Sequence, residues 1–425
     1  MTQATSQETL SFQGLGIGEN FLKSLTYHKF LHPTPIQHQS IPPAIEGKDL
    51  IGIAQTGTGK TLAFGIPMIQ RLAQNKGQGL VVVPTRELAL QVDETLRKVG
   101  SALGLKTVVI IGGEPMGKQK RILQARPHII IATPGRLTDH LMQRSVTLRD
   151  VKVFVLDEAD RMFDMGFAPQ IKKLFEYLPK ERQTLLFSAT MPAQIRKIAE
   201  THMTLPLQIE VAPAGTSAQN VEQEIFFVRK EDKIRLLEKI LADFKDTVLI
   251  FSRTKFGAKK ITQQIAQMGH KAEEIHSNKS LSQRIRALQG FKSGVFRVLV
   301  ATDIAARGID VKNIGMVINY DLPDNSEDYV HRIGRTGRAG HSGKAISFAT
   351  PDQKFDIRNI ERLIRKTLLI SPTPTDLPER KHAPAPAQPQ VSAQPNPFRR
   401  RNNFEQKSRP YGNPRQKNFS RKKSW

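Results

Sequence analysis

Leu50-Ile-Gly-Ile-Ala54-Gln55-Thr56-Gly57-Thr58-Gly59-Lys60-Thr61 leads from an apolar run through a glycine-rich turn to the helix start Leu62–Ile66. A buried strand that enters such a loop is suited to holding phosphate, because successive backbone amides at a helix N-terminus present N–H groups to an anion. Lys60 can neutralise β and γ oxygens, and Thr61 can ligate Mg²⁺. Ala54 stands where the strict pattern has glycine. A bare glycine turn is the plain alternative, and the strand before it and helix after it argue against that.

Outward from this loop, short apolar runs alternate with amphipathic stretches such as Glu87–Val99. Leu50–Ala54, Gly79–Val83, Thr107–Ile111, His128–Ala132, Val151–Leu156 and Gln183–Phe187 read as buried strands. That alternation predicts an α/β fold with a parallel sheet covered by helices on both faces. Ala212–Gln219 (APAGTSAQ) reads as a linker. A second series follows in Val221–Val228, Thr247–Phe251, Lys271–Ile275, Arg297–Ala301, Met316–Tyr320 and Lys344–Ala349. Ile357, Ile360, Leu363, Ile364 and Leu368 then fall at helical spacing. The expected division is a first domain over 1–211, a linker over 212–219, a second domain over 220–370 and a tail over 371–425.

A length of 425 residues already favours two folded domains. Lys and Arg outnumber Asp and Glu 64 to 39, a formal charge of +25, which favours polyanionic partners, nucleic acid first. There is no cysteine, so disulfides, thiolate zinc sites and cysteine nucleophiles are excluded. No signal peptide is visible in Met1–Leu10, and no apolar run approaches the roughly 20 residues of a membrane span. These features predict a cytoplasmic protein. Past Ser371 prolines recur and aliphatic residues nearly vanish, so the tail is expected to be disordered. It interleaves Arg399–Arg401, Lys407, Arg409, Arg415, Lys417 and Arg421–Lys423 with Phe398, Phe404, Tyr411, Phe419 and Trp425. Such cations neutralise backbone phosphates while the rings stack on unpaired bases.

Val151-Lys-Val-Phe-Val-Leu156 runs into Asp157-Glu158-Ala159-Asp160. A strand ending in carboxylates places them at the sheet's C-terminal edge, where open α/β folds bind ligands. Asp157 would hold Mg²⁺, and Glu158 would orient and deprotonate an attacking water. Arg335 and Arg338, three residues apart in a glycine-rich loop, suit stabilisation of charge on a transferring phosphoryl group. The stretch Arg161–Lys180 reads mostly as scaffold.

Asp157–Asp160 spells the name of the DEAD-box RNA helicases, and from about Phe12 to Leu369 the chain resembles that family. Phe30-Leu-His-Pro-Thr-Pro-Ile-Gln37 is similar to the Q motif, with Phe12 as its isolated upstream aromatic; Lys29 stands where the family usually has Gly. Pro84–Ala89, Gly112-Gly113, Thr133–Arg136 and Ser188-Ala-Thr190 match further motifs of the first domain. Leu249–Lys255, Gln283–Arg286, Ala301–Asp310 and His331–Arg338 match those of the second. The resemblance implies two tandem RecA-like domains and an RNA-stimulated hydrolysis of ATP with Mg²⁺. It implies that Gln37 reads adenine, that Asp310 contacts the ribose side of ATP, and that Ser188, Thr190 and His331 couple hydrolysis to domain closure. Arg86, Gly113, Thr133, Arg136, Arg253 and Thr302 would contact RNA without reading its sequence. Short spacers and the basic tail resemble the bacterial RhlE-type subgroup, and ribosomal precursors or RNA-turnover machinery are the partners such a protein would meet. An ATP-gated annealing chaperone and a DNA-translocating motor remain open beside the helicase.

Removal of the tail separates the helicase from the chaperone, and ATPase stimulation by RNA against matched DNA separates the helicase from the motor. A helicase keeps its ATP hydrolysis and loses mainly RNA affinity, with the slope of log affinity against log salt becoming shallower by about 0.7 for each phosphate the tail had neutralised. A chaperone loses its activity outright.

Overall fold

The computed structural model describes residues 10–55, 57–211, 221–303, 314–337 and 343–378. The expected linker at 212–219 lies outside them, as do Thr56, Asp310, Arg338 and the tail beyond residue 378. Two seven-stranded sheets organise the chain, and every strand pair in them is parallel. The first contains β1 (Leu50–Ile53), β2 (Gln78–Val82), β3 (Thr107–Ile110), β4 (Ile129–Ala132), β5 (Val151–Asp157), β6 (Gln183–Ser188) and β7 (Leu207–Glu210). Its order is β3-β4-β2-β5-β6-β1-β7. The second contains β8 (Val221–Phe227), β9 (Val248–Phe251), β10 (Ala272–Ile275), β11 (Val298–Ala301), β12 (Met316–Asn319), β13 (Gly343–Ala349) and β14 (Leu369–Ser371). Its order is β10-β11-β9-β12-β13-β8-β14. Subtracting seven from each number in the second sheet reproduces the first, so the two lobes share one topology. This is the RecA-like arrangement expected from the sequence.

Each central strand is buried on both faces, which is why it reads as a continuous apolar run. In the first lobe, Leu62, Val92 and Leu96 of helices Lys60–Gln74 and Arg86–Gly100 pack on one face. Leu137, Ile171 and Ile195 of helices Pro134–Met142, Ala168–Tyr177 and Ala193–His202 pack on the other. Each fully buried aliphatic side chain contributes roughly 1.5–3 kcal/mol. Parallel strands send all their C-terminal ends to one rim, and the loops leaving that rim carry most of the motifs read from the sequence, Phe30–Gln37 preceding β1 and Gln283–Arg286 lying in helix Leu281–Lys292.

Two strands, β7 and β14, have no counterpart among the runs read from the sequence. Both are edge strands whose side chains are mostly exposed, so neither shows an apolar run. The second lobe also continues beyond its expected limit at residue 370. Thr373 Oγ1 donates to Phe227 O at 2.9 Å, Arg235 Nε donates to Pro378 O at 2.6 Å, and Leu377 packs against the core. A single leucine among prolines has no period to betray it.

Lys29 ends the first helix, Glu19–Tyr27, with φ +62. The Phe30 N–H reaches back to Leu25 O at 2.9 Å, closing the helix in the manner that favours glycine at the left-handed position. The exposed lysine tolerates a conformation its Cβ disfavours. Lys29→Gly should therefore raise the unfolding free energy by about 1 kcal/mol, seen as a higher midpoint in thermal or denaturant unfolding.

Candidate functional site

The glycine-rich loop leaves β1 and turns into helix Lys60–Gln74 at Gly59, whose φ is +93. A Cβ at Gly59 would collide with the Gln37 side-chain amide, so only glycine lets the two approach. Gln37 Nε2 donates to Gly59 O at 2.9 Å, and the Thr34 N–H donates to Gln37 Oε1 at 3.0 Å. The Q-motif helix is thereby tied to the loop, and each end of the amide keeps one further hydrogen-bonding valence. Thr58 Oγ1 donates to Gln55 O at 2.7 Å and the Ala54 N–H donates to Ser188 O at 2.9 Å.

Lys60 is 5% exposed, and its Nζ has no hydrogen-bond partner among the described residues. Its nearest carboxylate oxygen, Asp157 Oδ1, is 3.9 Å away. A buried ammonium with unused donors is costly unless an anion completes it. Thr61 lies beside it in the first turn of the helix.

Asp157 ends β5 and is buried. Burial pushes its carboxyl up to about 6, with Lys60 pulling it down and the Glu158 charge adding to the rise. Charge on Asp157 is therefore a cost that a nearby cation would offset. The Asp157 carboxylate together with the Thr61 hydroxyl would make an all-oxygen donor set, which suits a hard ion such as Mg²⁺. Glu158 follows with φ +56 and ψ +49, a left-handed conformation rare outside glycine. Its Oε2 accepts from Arg161 Nη1 at 2.9 Å, both side chains being almost wholly buried.

Asp160 closes this segment. Its Oδ2 accepts from the Ala189 N–H at 3.1 Å, the Thr190 N–H at 2.9 Å and Thr190 Oγ1 at 3.0 Å. The Asp160 N–H donates to Ser188 Oγ at 3.1 Å. Burial works against its charge, yet Lys60, Arg161 and His331 hold the carboxyl below the usual range, helped by the Thr190 hydroxyl. His331 belongs to the second lobe, so its field reaches across the cleft.

At the far side of the first lobe's rim, Arg86, Gly113 and Arg136 converge on one turn. A Cβ at Gly113 would collide with Arg86 Nη1, and Arg136 Nη1 donates to Glu114 O at 2.7 Å. Thr133 precedes helix Pro134–Met142, its N–H donating to Ile110 O at 3.1 Å. In the second lobe, the Arg253 N–H donates to Asp321 Oδ2 at 3.1 Å and its Nη2 to Leu322 O at 3.1 Å. The Thr302 N–H donates to Ile275 O at 3.2 Å. Arg335 is 3% exposed beside helix Ser326–Ile333, with Nε donating to His331 O at 3.3 Å.

Several expectations change. Phe12 is 5% exposed within the first lobe's core, so packing holds its ring and little of it faces outward. Arg161, read as scaffold, is the buried partner of Glu158. Arg332 carries no expectation from the sequence, yet it forms a fork with Asp303 at 2.6 and 2.7 Å and also donates to Asn319 Oδ1 and Asp321 O. The three-residue spacing of Glu158 and Arg161 on a helix was an available signal; no local pattern pairs Arg332 with Asp303. The lobes also meet directly, Arg284 Nη2 donating to Glu87 Oε2 at 2.9 Å with exposures of 12% and 3%.

Known proteins share this frame. The family model described as DEAD/DEAH box helicase matches residues 34–198, and that for the helicase conserved C-terminal domain matches 232–340. A protein named DEAD-box ATP-dependent RNA helicase CshA from Bacillus cereus is 42% identical over 368 residues, covering 86% of this chain and 70% of its own. The protein of that name from Bacillus subtilis is 42% identical over 370 residues, covering 86% and 75%. The structure of Dbp5 from S. cerevisiae bound to RNA and ADP BeF3 is similar with TM-score 0.78 and 30% identity, covering 85% of this chain and 96% of that one. Mss116 bound to ssRNA and UDP-BeF gives TM-score 0.78 and 28% identity, covering 85% and 79%. Identity sustained over 368 residues, together with family models matching both lobes, makes this chain a member of the DEAD-box ATP-dependent RNA helicases.

Proposed function

We propose that the protein hydrolyses ATP in the cleft between its two lobes and uses lobe closure to separate or remodel short RNA duplexes. The observation that carries this reading is Lys60, a buried ammonium without a hydrogen-bond partner at the mouth of a glycine-rich loop beside Asp157. A triphosphate supplies the missing acceptors. The amides of Ala54–Thr61 receive its phosphates, Gln37 meets the adenine with its remaining valences, and Asp310 lies toward the ribose. Phe12 supports that end from the core. Mg²⁺, when bound at Thr61 and Asp157, neutralises phosphate charge. Glu158, aimed by its strained backbone and by Arg161, takes a proton from water as the water oxygen attacks the γ-phosphorus and the bond to the β-bridging oxygen breaks. Arg335 and Arg338 stabilise the charge on the transferring group from the second lobe.

RNA lies along the rim of both lobes, held by Arg86, Gly113, Thr133, Arg136, Arg253 and Thr302 through its backbone. Closure bends one strand there. Each disrupted step costs about 1–2 kcal/mol, by DNA stacking values, so a short duplex falls apart while a long one survives. Asp160 links the hydrolytic loop to Ser188 and Thr190, and His331 senses that loop from across the cleft. Phosphate release reopens the lobes. The basic tail adds RNA affinity without sequence preference.

Finer placement follows from the same features. Short spacers and the tail favour the RhlE-type subgroup, although the similar bacterial proteins above carry the name CshA. Bacterial relatives favour a bacterial cytoplasm, with ribosomal precursors or RNA-turnover machinery as the setting.

RNA should stimulate ATP hydrolysis by the wild-type chain, and Glu158→Gln should lower turnover by at least about 100-fold while nucleotide still binds. Equal stimulation by RNA and a matched DNA would sink the reading. The Glu87–Arg284 pair gives a second test, since it exists only when the lobes meet. In a double-mutant cycle of Glu87→Gln and Arg284→Gln, the KM for RNA should report a coupling of about 1–3 kcal/mol, with kcat at saturating RNA little changed.

A further inference from the structure

At the opposite end of the first lobe, where β2, β4 and β5 begin, lies a cavity of about 590 Å³ that the ATP and RNA rim does not use. Lys76, Arg126, Arg149 and Lys152 line it, with Leu123 and Ile130 among its buried walls. Among the described residues none of these four cations makes a salt bridge; Asp150 is the one acidic residue in the lining.

A second observation points to the same place. Two helices of this lobe, Met116–Gln124 and Pro134–Met142, end on an arginine in the left-handed region, Arg126 with φ +47 and Arg144 with φ +50. Glycine is the usual residue there, and a Cβ is disfavoured. Arg126 lines the cavity, and Arg144 immediately precedes its lining residues Ser145 and Val146. A basic residue one position earlier would complement the helix end without that strain. Each helix C-terminus brings roughly half a negative charge. Counting those ends, Asp150 and the five cations, a surplus of about three positive charges surrounds the opening.

We infer that this cavity is an accessory RNA site that takes one unpaired nucleotide, its base against the half-buried Val146 and the exposed His128 ring and its phosphates on the lysines and arginines. The volume falls within the usual range for small-ligand pockets. β5 is 7 residues long, so the cavity lies about 20 Å from the motif rim. That distance is a few nucleotides of single strand, so RNA leaving the rim can reach it. The site anchors the strand on the lobe that the second lobe moves against. It rests on the reading of the rim as an RNA groove, and goes beyond it.

The test compares the full chain with Arg126→Gln/Lys152→Gln, using RNA of about 6 nucleotides, enough for the rim alone, and of about 24. ATP hydrolysis stimulated by the short RNA should match wild type. Affinity for the long RNA should fall roughly tenfold, with its salt slope shallower by about 1.4, and Arg126→Lys/Lys152→Arg should restore both. Unchanged affinity for the long RNA overturns the inference, as does an equal loss for both lengths. So does tighter binding of polyglutamate than of RNA at matched charge, lost in Arg126→Gln/Lys152→Gln while RNA affinity is kept, which marks an acidic protein partner instead. Failure of the short RNA to stimulate the wild-type chain would count against the rim itself, a separate result.

Discussion

Asp160 accepts three hydrogen bonds from Ala189 and Thr190 on one carboxylate oxygen, while its own N–H is held by Ser188. Bonds to a charged acceptor contribute about 1.5–3 kcal/mol each, and here they are buried. They stitch the ends of β5 and β6 together just beyond the sheet. The chain between β5 and that knot has no slack, and Glu158 is left in a conformation few side chains choose. Held so, its carboxylate meets Arg161, and Asp157 is left facing Lys60. The strain at Glu158 is tolerated because the surrounding bonds determine it several times over.

One topology used twice explains how the chain divides its chemistry. Both sheets bring their strand ends to a rim, but the first lobe loads that rim with a phosphate loop and carboxylates, the second with arginines. Arg332 anchors the second rim. Its fork on Asp303 and its bonds to Asn319 and Asp321 join the ends of β11 and β12 to the helix that carries His331. Arg335 follows directly, so its position depends on that anchor. Both lobes carry more Lys and Arg than Asp and Glu, so an anionic ligand with spare acceptors, as a nucleotide is, offsets the repulsion between their rims. The ion pair between Glu87 and Arg284 gives the two lobes a direct attraction of their own, made far along the chain from Asp157 and Glu158.

The amino-acid sequence by itself determined the α/β alternation, the two lobes, the phosphate loop and the carboxylates, because each is a local pattern: an apolar run of strand length, or a few residues at fixed spacing. Lys29 stood out only by resemblance, at a place where the family usually has Gly; its left-handed φ is a finding of the structure. What only the tertiary structure decided were the partnerships. Arg161 read as scaffold, with only a three-residue spacing to hint at its burial on Glu158; Arg332 and Asp303, 29 residues apart, form one fork. Edge strands β7 and β14 and the packing of Leu377 were equally silent, their side chains being half exposed and without period. Burial is set by what folds back over a residue, and no spacing along the chain encodes that.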